Sequence, residues 1–188
     1  MGNNSTSSSY FGHAHFTMGS SRVIPDSGLM ITSEMLEEID FDRVMDRFTR
    51  KTQKYSSADV MKAMFAAILT GNLGFEGIRQ LERDPEFYAD ALHMEAIPSE
   101  ATFRQRITNL AEEHGKEVEE ALNQLNLDLL KRFHVKLTPT PEGYIVIDID
   151  VSPFINEKCR KEGIGRTYKK KDGFAPIFAY IGQEGYLL

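Results

Sequence analysis

Two aspartates set close together in one apolar run are the residues of this chain best suited to chemistry. Asp148 and Asp150 follow Tyr144-Ile145-Val146-Ile147, with Gly143 before the run and Pro153 after it. β-Branched residues dominate the segment and Gly and Pro bracket it, so it predicts a buried strand. Side chains alternate between the faces of a strand. Ile145, Ile147, Ile149 and Val151 therefore share one face, and Val146, Asp148 and Asp150 share the other. Two carboxylates on one face of a buried strand are costly unless something compensates them. A divalent cation is the natural compensation, because hard cations prefer carboxylate oxygens. The competing reading places both acids at an exposed strand end, where they face water.

The residues that follow bear on this choice. Ser152 and Pro153 end the strand. Residues 156–171 then hold Lys158, Arg160, Lys161, Arg166, Lys169, Lys170 and Lys171 against Glu157 and Glu162. Such a basic stretch neutralises phosphates, and Tyr168 within it is able to stack on a base. A solvated lysine-rich loop is the plainer alternative. Asp172-Gly173 predicts a turn, Phe174 to Ile181 a second strand, and Gly182-Gln183-Glu184-Gly185 a tight turn into a third strand starting at Tyr186.

Upstream, the elements that must carry these residues are helical. Residues 1–27, rich in Ser, Asn and Gly, predict a flexible arm. His13 and His15 within it form a weak metal-binding candidate. Ser33 is expected to cap a helix whose apolar face carries Met35, Leu36 and Ile39, continued by Phe41, Val44, Met45 and Phe48. The basic residues Arg47, Arg50, Lys51 and Lys54 fit a solvated face better than a DNA contact. Ser56 caps a helix with Met61, Met64, Phe65 and Ile68 on one side, closed at Gly71. Short helices are expected over 74–83 and 87–92. Ser99 caps the next, which turns Phe103, Ile107 and Leu110 inward and carries Arg104, Gln105 and Arg106. Arg and Gln can read base edges in the major groove, so these three are the DNA-binding candidates of the helical half, set against an ordinary charged surface. A long amphipathic helix, 116–133, follows with the stripe Val118, Leu122, Leu125, Leu129 and Phe133. Thr138-Pro139-Thr140-Pro141 predicts an extended linker over 138–142 and the domain boundary.

Composition restricts the class. Apolar residues make up 41% and charged residues 27%, as in an ordinary globular protein. The net charge is −6, but residues 134–188 hold eight Lys/Arg against seven Asp/Glu, which leaves fourteen against twenty-one upstream. An acidic whole does not exclude DNA binding, which depends on local phosphate neutralisation. The single cysteine, Cys159, excludes an internal disulfide and a CxxC zinc site, and suits a reducing compartment. No apolar run approaches the roughly 18 residues of a membrane span, so no membrane partner is expected.

As an ordered set, several of these segments resemble one family. Asp148-Ile149-Asp150-Val151-Ser152-Pro153, the basic segment ending Arg166-Thr167-Tyr168-Lys169, and Asp172-Gly173-Phe174-Ala175-Pro176-Ile177-Phe178-Ala179-Tyr180 are similar to the start of the catalytic domain of DDE-type insertion-sequence transposases, in particular the insertion-sequence 1380 branch. Leu81-Glu82-Arg83-Asp84-Pro85 and the stretch from Ile97 to Arg106 add to the likeness, which covers roughly residues 28–188. The resemblance implies an α+β chain: a helical DNA-binding-like region at 28–137, then, from 143, the first strands of a ribonuclease H-like domain. It implies metal-dependent phosphoryl transfer on DNA, with Mg²⁺ or Mn²⁺ as cofactor and two ions about 4 Å apart. Asp150 matches the first catalytic and metal-binding position, and Asp148 ranks second. The second Asp and the Glu of the family fall beyond Leu188, so the chain is expected to be an N-terminal portion, inactive alone. Terminal inverted repeats of a transposon, and copies of itself or of a full-length transposase, are the implied partners, in the nucleoid of a prokaryotic cytoplasm. Two alternatives stay open: a noncatalytic DNA- or transposase-binding module, and a decayed remnant.

Overall fold

The computed structural model describes residues 26–158, 161 and 163–188. Most of the expected arm, with His13 and His15, lies outside the described residues, as do Cys159, Arg160 and Glu162. The fold is mixed α and β, with one long helix and small antiparallel sheets. The chain forms two compact units, one ending at Arg132 and the other running Phe133–Leu188. Residues 138–142 belong to the second unit, where the Thr138 amide donates to the Glu184 carboxylate and the Gln183 side chain donates to the carbonyls of Thr138 and Pro139.

The helical unit contains α1 (Gly28–Glu37), α2 (Phe41–Met45), α3 (Ser57–Leu69), α4 (Ile78–Leu81), α5 (Pro85–Ala91) and α6 (Glu100–Arg132). Ser56 caps α3 by accepting from the Asp59 amide at 3.0 Å, and Ser99 accepts from Thr102 at 3.3 Å ahead of α6. Gly71, at φ +87, ends the α3 region in the left-handed conformation that glycine adopts without penalty. The helical run of α6 is interrupted at His114, whose φ of −138 is not helical. The break falls just before Gly115, between the two helices expected from the pattern.

Ser33 is not a cap. Helix α1 begins five residues earlier, and Ser33 sits inside it, fully buried, its hydroxyl without a hydrogen-bond partner. Two apolar clusters hold the unit together. One joins Leu29, Val60, Ile78, Leu81, Tyr88, Leu92 and Phe103; the other joins Leu36, Phe41, Met45, Met61, Leu110, Val118 and Leu125. Helix α3 contributes to both. The long-helix stripe is therefore core through Val118 and Leu125.

The second unit holds two three-stranded sheets. Strand β1 (Ile147–Val151) pairs antiparallel with β5 (Ile177–Ile181), which pairs with β6 (Tyr186–Leu187). Strand β4 (Asp172–Phe174) lies between β2 (Phe154–Ile155) and β3 (Gly165–Arg166). The expected second strand is split, since Pro176 has no amide to donate and the ladder breaks at Ala175-Pro176. Asp172-Gly173 is not a turn but the middle strand of its sheet. Gly173 is there for closeness: a Cβ would collide with the Phe154 carbonyl and sit 3.0 Å from Ile155 Cα. The reversal occurs earlier, at Thr167 to Lys171, where Thr167 donates to the Lys171 carbonyl and Lys170 takes φ +58.

Strand β1 is also not buried. All five of its residues are exposed, Ile149 at 70%. Its partner β5 is better covered: Phe178, Ala179 and Ile181 are half-buried, and the Phe154 ring of β2 packs against Phe178. No helix among the described residues is long and apolar enough to cross a membrane.

Candidate functional site

The candidate acids sit on β1, in its antiparallel ladder with β5. Register pairs Asp148 with Tyr180 and Asp150 with Phe178, while Ile147, Ile149 and Val151 oppose Ile181, Ala179 and Ile177. Asp148 and Asp150 thus share a face with two aromatic side chains, about 6.6 Å apart along the strand. The Phe178 ring lies 6.4 Å from that of Tyr180 and 6.3 Å from that of Phe154. Ser152 donates its hydroxyl to the Asp150 carboxylate at 3.2 Å, a neutral tether that leaves the acid's other oxygen free to bind. Strand β1 ends where Pro153 cannot continue it, and the Ser152 amide bonds to the Pro176 carbonyl.

Two carboxylates and a hydroxyl suit a hard divalent ion. Mg²⁺ is commonly held by one or two carboxylates plus waters and substrate phosphates. The donor set fits one such ion in part. Among the described residues, no third acidic or histidine ligand joins Asp148 and Asp150 in a cluster that could share a metal.

The basic candidates of this unit stand beside the second sheet. Arg166, on β3, pairs with Asp172 of β4 at 3.1 Å. Tyr168, Lys169, Lys170 and Lys171 form the exposed turn between those strands, with the Lys169 ammonium 5.9 Å from the centre of the Tyr168 ring. Lys171 reaches Glu157 only at 4.0 Å, and Lys158 and Lys161 are exposed. Hairpin β3–β4 therefore presents several ammonium groups with little neutralisation. Arg160 lies outside the described residues.

In the helical unit the three candidates of α6 separate. Arg104 and Gln105 face an open groove of about 740 Å³, lined also by Arg79, Glu82, Ser99, Glu100, Thr108 and Asn109. Arg106 points inward instead. Its guanidinium donates to the Tyr55 carbonyl at 3.3 Å and to the Ser57 hydroxyl at 3.5 Å, with Nε buried and unpartnered, and burial pushes its pKa down. The helical period explains the split: neighbouring residues are about 100° apart around the axis, so Arg104 and Arg106 cannot share a face.

The groove has a feature that the spacing alone did not reveal. Arg79 of α4 and Arg104 of α6 converge on the carboxylate of Glu100, at 2.5 and 3.2 Å. The Arg79 hydrogen bond, seconded by Arg104, holds the Glu100 carboxyl below the usual range. Arg104 also lies 4.8 Å over the Phe75 ring, an attractive cation–π arrangement that fixes its position. The Glu100–Arg104 pair, four residues apart at a helix start, was visible in the sequence; Arg79 was not, since only the fold brings α4 alongside.

Comparison with family models, with curated proteins and with solved structures yields no match to this chain.

Proposed function

We propose that this chain is the N-terminal portion of a DDE-type transposase, acting on DNA through its helical unit and contributing the first acid of a ribonuclease H-like phosphoryl-transfer site. The observation that carries this reading is the placement of Asp148 and Asp150 on one face at the end of β1, with Ser152 holding Asp150. Asp150, and after it Asp148, would hold Mg²⁺ or Mn²⁺. That ion would supply charge stabilisation at the transferring phosphoryl group and a more acidic bound water. With two carboxylates alone the chain is expected to bind DNA and not to cleave it.

DNA contact is assigned to two places. Hairpin β3–β4 offers Arg166, Lys169, Lys170 and Lys171, with Lys158 and Lys161 nearby in sequence, as phosphate-neutralising groups, and Tyr168 as a ring able to stack on a base. Arg104 and Gln105 of the α6 groove supply hydrogen-bonding side chains of the kind that read base edges. A noncatalytic module that binds DNA, or a copy of a longer transposase, is the second reading. It is favoured by the same two-carboxylate count.

Site-resolved amide NMR with substoichiometric Mn²⁺ tests the metal assignment. Paramagnetic broadening is expected at residues 148–152 and across the ladder at 178–180, and Asp150→Asn should remove it. Absence of broadening there, or broadening that Asp150→Asn leaves unchanged, would withdraw the phosphoryl-transfer reading and leave the binding module.

A further inference from the structure

We propose that Glu34, Glu37 and His93 form a binding site for a divalent transition-metal ion, with Zn²⁺ as the best-suited probe. The site is unrelated to Asp148 and Asp150 and does not depend on the transposase reading. Glu34 and Glu37 are three residues apart on α1, a spacing that puts both carboxylates on one side of the helix. His93 comes from the turn after α5. One carboxylate oxygen from each glutamate and one ring nitrogen of His93 lie within 4.8 Å of one another. Glu37 and His93 are already in hydrogen-bond contact through Nδ1.

Three ligands of this kind match a known coordination chemistry. Zn²⁺ accepts imidazole nitrogen and carboxylate oxygen at about 2.0–2.2 Å, and sites with three protein ligands keep a water in the fourth position. Imidazole favours such ions over Mg²⁺ and Ca²⁺, which prefer all-oxygen shells.

His93 closes α5 as the left-handed residue after the helix cap, which holds its imidazole in place. Its φ of +49 lies in the left-handed region, where a histidine is uncommon and glycine or asparagine is the usual choice. The surroundings enforce it. The His93 amide bonds to the Asp90 carbonyl, the Met94 amide to that of Ala89, and the His93 carbonyl accepts from the Lys62 ammonium at 3.2 Å. Lys62 is only 1% exposed and is itself paired with Asp42 at 2.7 Å. The imidazole is thus presented to α1 from a backbone fixed by a buried, charge-balanced anchor, and a metal site requires such rigidity of its ligands. Bound metal would tie α1 to the end of α5 and stabilise the helical unit.

Isothermal titration of the full chain with Zn²⁺, after chelator treatment, tests this. His13→Asn and His15→Asn are introduced throughout, so that the other histidine pair contributes nothing. One Zn²⁺ per chain is expected, with Mg²⁺ and Ca²⁺ failing to compete. At an ion concentration about 100 times Kd, Tm should rise by about 5–10 °C. His93→Asn keeps a residue that tolerates left-handed backbone, so its metal-free Tm should hold while Zn²⁺ affinity falls at least about tenfold. If that variant is destabilised, the exposed Glu37→Gln serves in its place, with the same loss of affinity expected. The proposal is overturned if no stoichiometric Zn²⁺ binding occurs, or if Glu37→Gln binds Zn²⁺ as tightly as the parent.

Discussion

The most discriminating stability prediction concerns Lys62 and Asp42, because exposure and cost should run in opposite order. Lys62 is buried and Asp42 is half exposed. Exposure alone would make Lys62 the costlier residue to change. The physical accounting reverses this. Lys62→Met keeps the apolar stem and removes the charge. Asp42, with 52% of its side chain exposed, returns to water at little cost, the His93 carbonyl loses a donor, and Asp59 loses the nearby Lys62 charge that works against the upward push of its own burial. That is worth about 1–2 kcal/mol. Asp42→Ala instead leaves a buried ammonium with the His93 carbonyl as its hydrogen-bond partner and the Asp59 carboxylate as a counter-charge with no hydrogen bond to it. Stranding a buried charge costs about 3–5 kcal/mol, and the lower end applies where water can enter the vacated position. Urea unfolding followed by far-UV circular dichroism measures both, since the helical signal belongs to the unit that holds the pair. Asp42→Ala should be the more destabilising by about 1–2 kcal/mol. A Lys62→Met cost equal to or above that of Asp42→Ala would refute the reasoning.

Other perturbations follow from single contacts. Ser33→Ala removes a buried hydroxyl without a partner and should stabilise the helical unit by about 0.5–1 kcal/mol in the same urea assay. Gly173→Ala should cost the second unit about 1–3 kcal/mol, because two backbone segments must part; faster amide exchange at 154–155 and 172–174, with the helical unit unchanged, reports it. Arg106→Ala should lower stability without altering the sequence preference of DNA binding, whereas Arg104→Ala should leave stability nearly unchanged and narrow the difference in affinity between preferred and unrelated duplexes. The carboxyl of Glu100 titrates below its ordinary range because Arg79 and Arg104 hold the charged form. A group whose folded pKa is depressed stabilises the fold above its unfolded pKa and loses that contribution as pH falls through the folded value. Acidification below the usual carboxylate range should therefore loosen the α4–α6 contact, seen as amide shift changes at Arg79 and Arg104 that Glu100→Gln abolishes.

The helices were legible because their signals are local. Ser56 and Ser99 cap by bonding three residues ahead, and the apolar period of α3 and α6 repeats within a turn or two. Ser33 misled because a cap-type residue before an apolar run is also compatible with a helix already under way. Gly173 misled in the same manner: Asp-Gly is a turn signal in isolation, but here glycine serves the close approach of Phe154 from another strand. Burial of β1 could not be read from its own residues, since it depends on what covers the sheet. Spacing alone could not bring Arg79 to the Glu100–Arg104 pair or His93 to Glu34 and Glu37. Each joins segments far apart in the chain, and His93 stands 56 positions from Glu37. Asp148 and Asp150 were the easiest to find, because strand alternation places them on one face whatever the rest of the fold does.

Fluorescence anisotropy of labelled duplex DNA, titrated with the full chain over a series of salt concentrations, tests the central claim most directly. The account predicts binding at low salt that weakens linearly in log K against log salt, a weaker complex for Lys169→Ala/Lys170→Ala/Lys171→Ala, and a tighter one for Glu100→Gln, which releases Arg79 and Arg104 to phosphate. Absence of binding at the lowest salt, or binding indifferent to salt and to all of these substitutions, would contradict it.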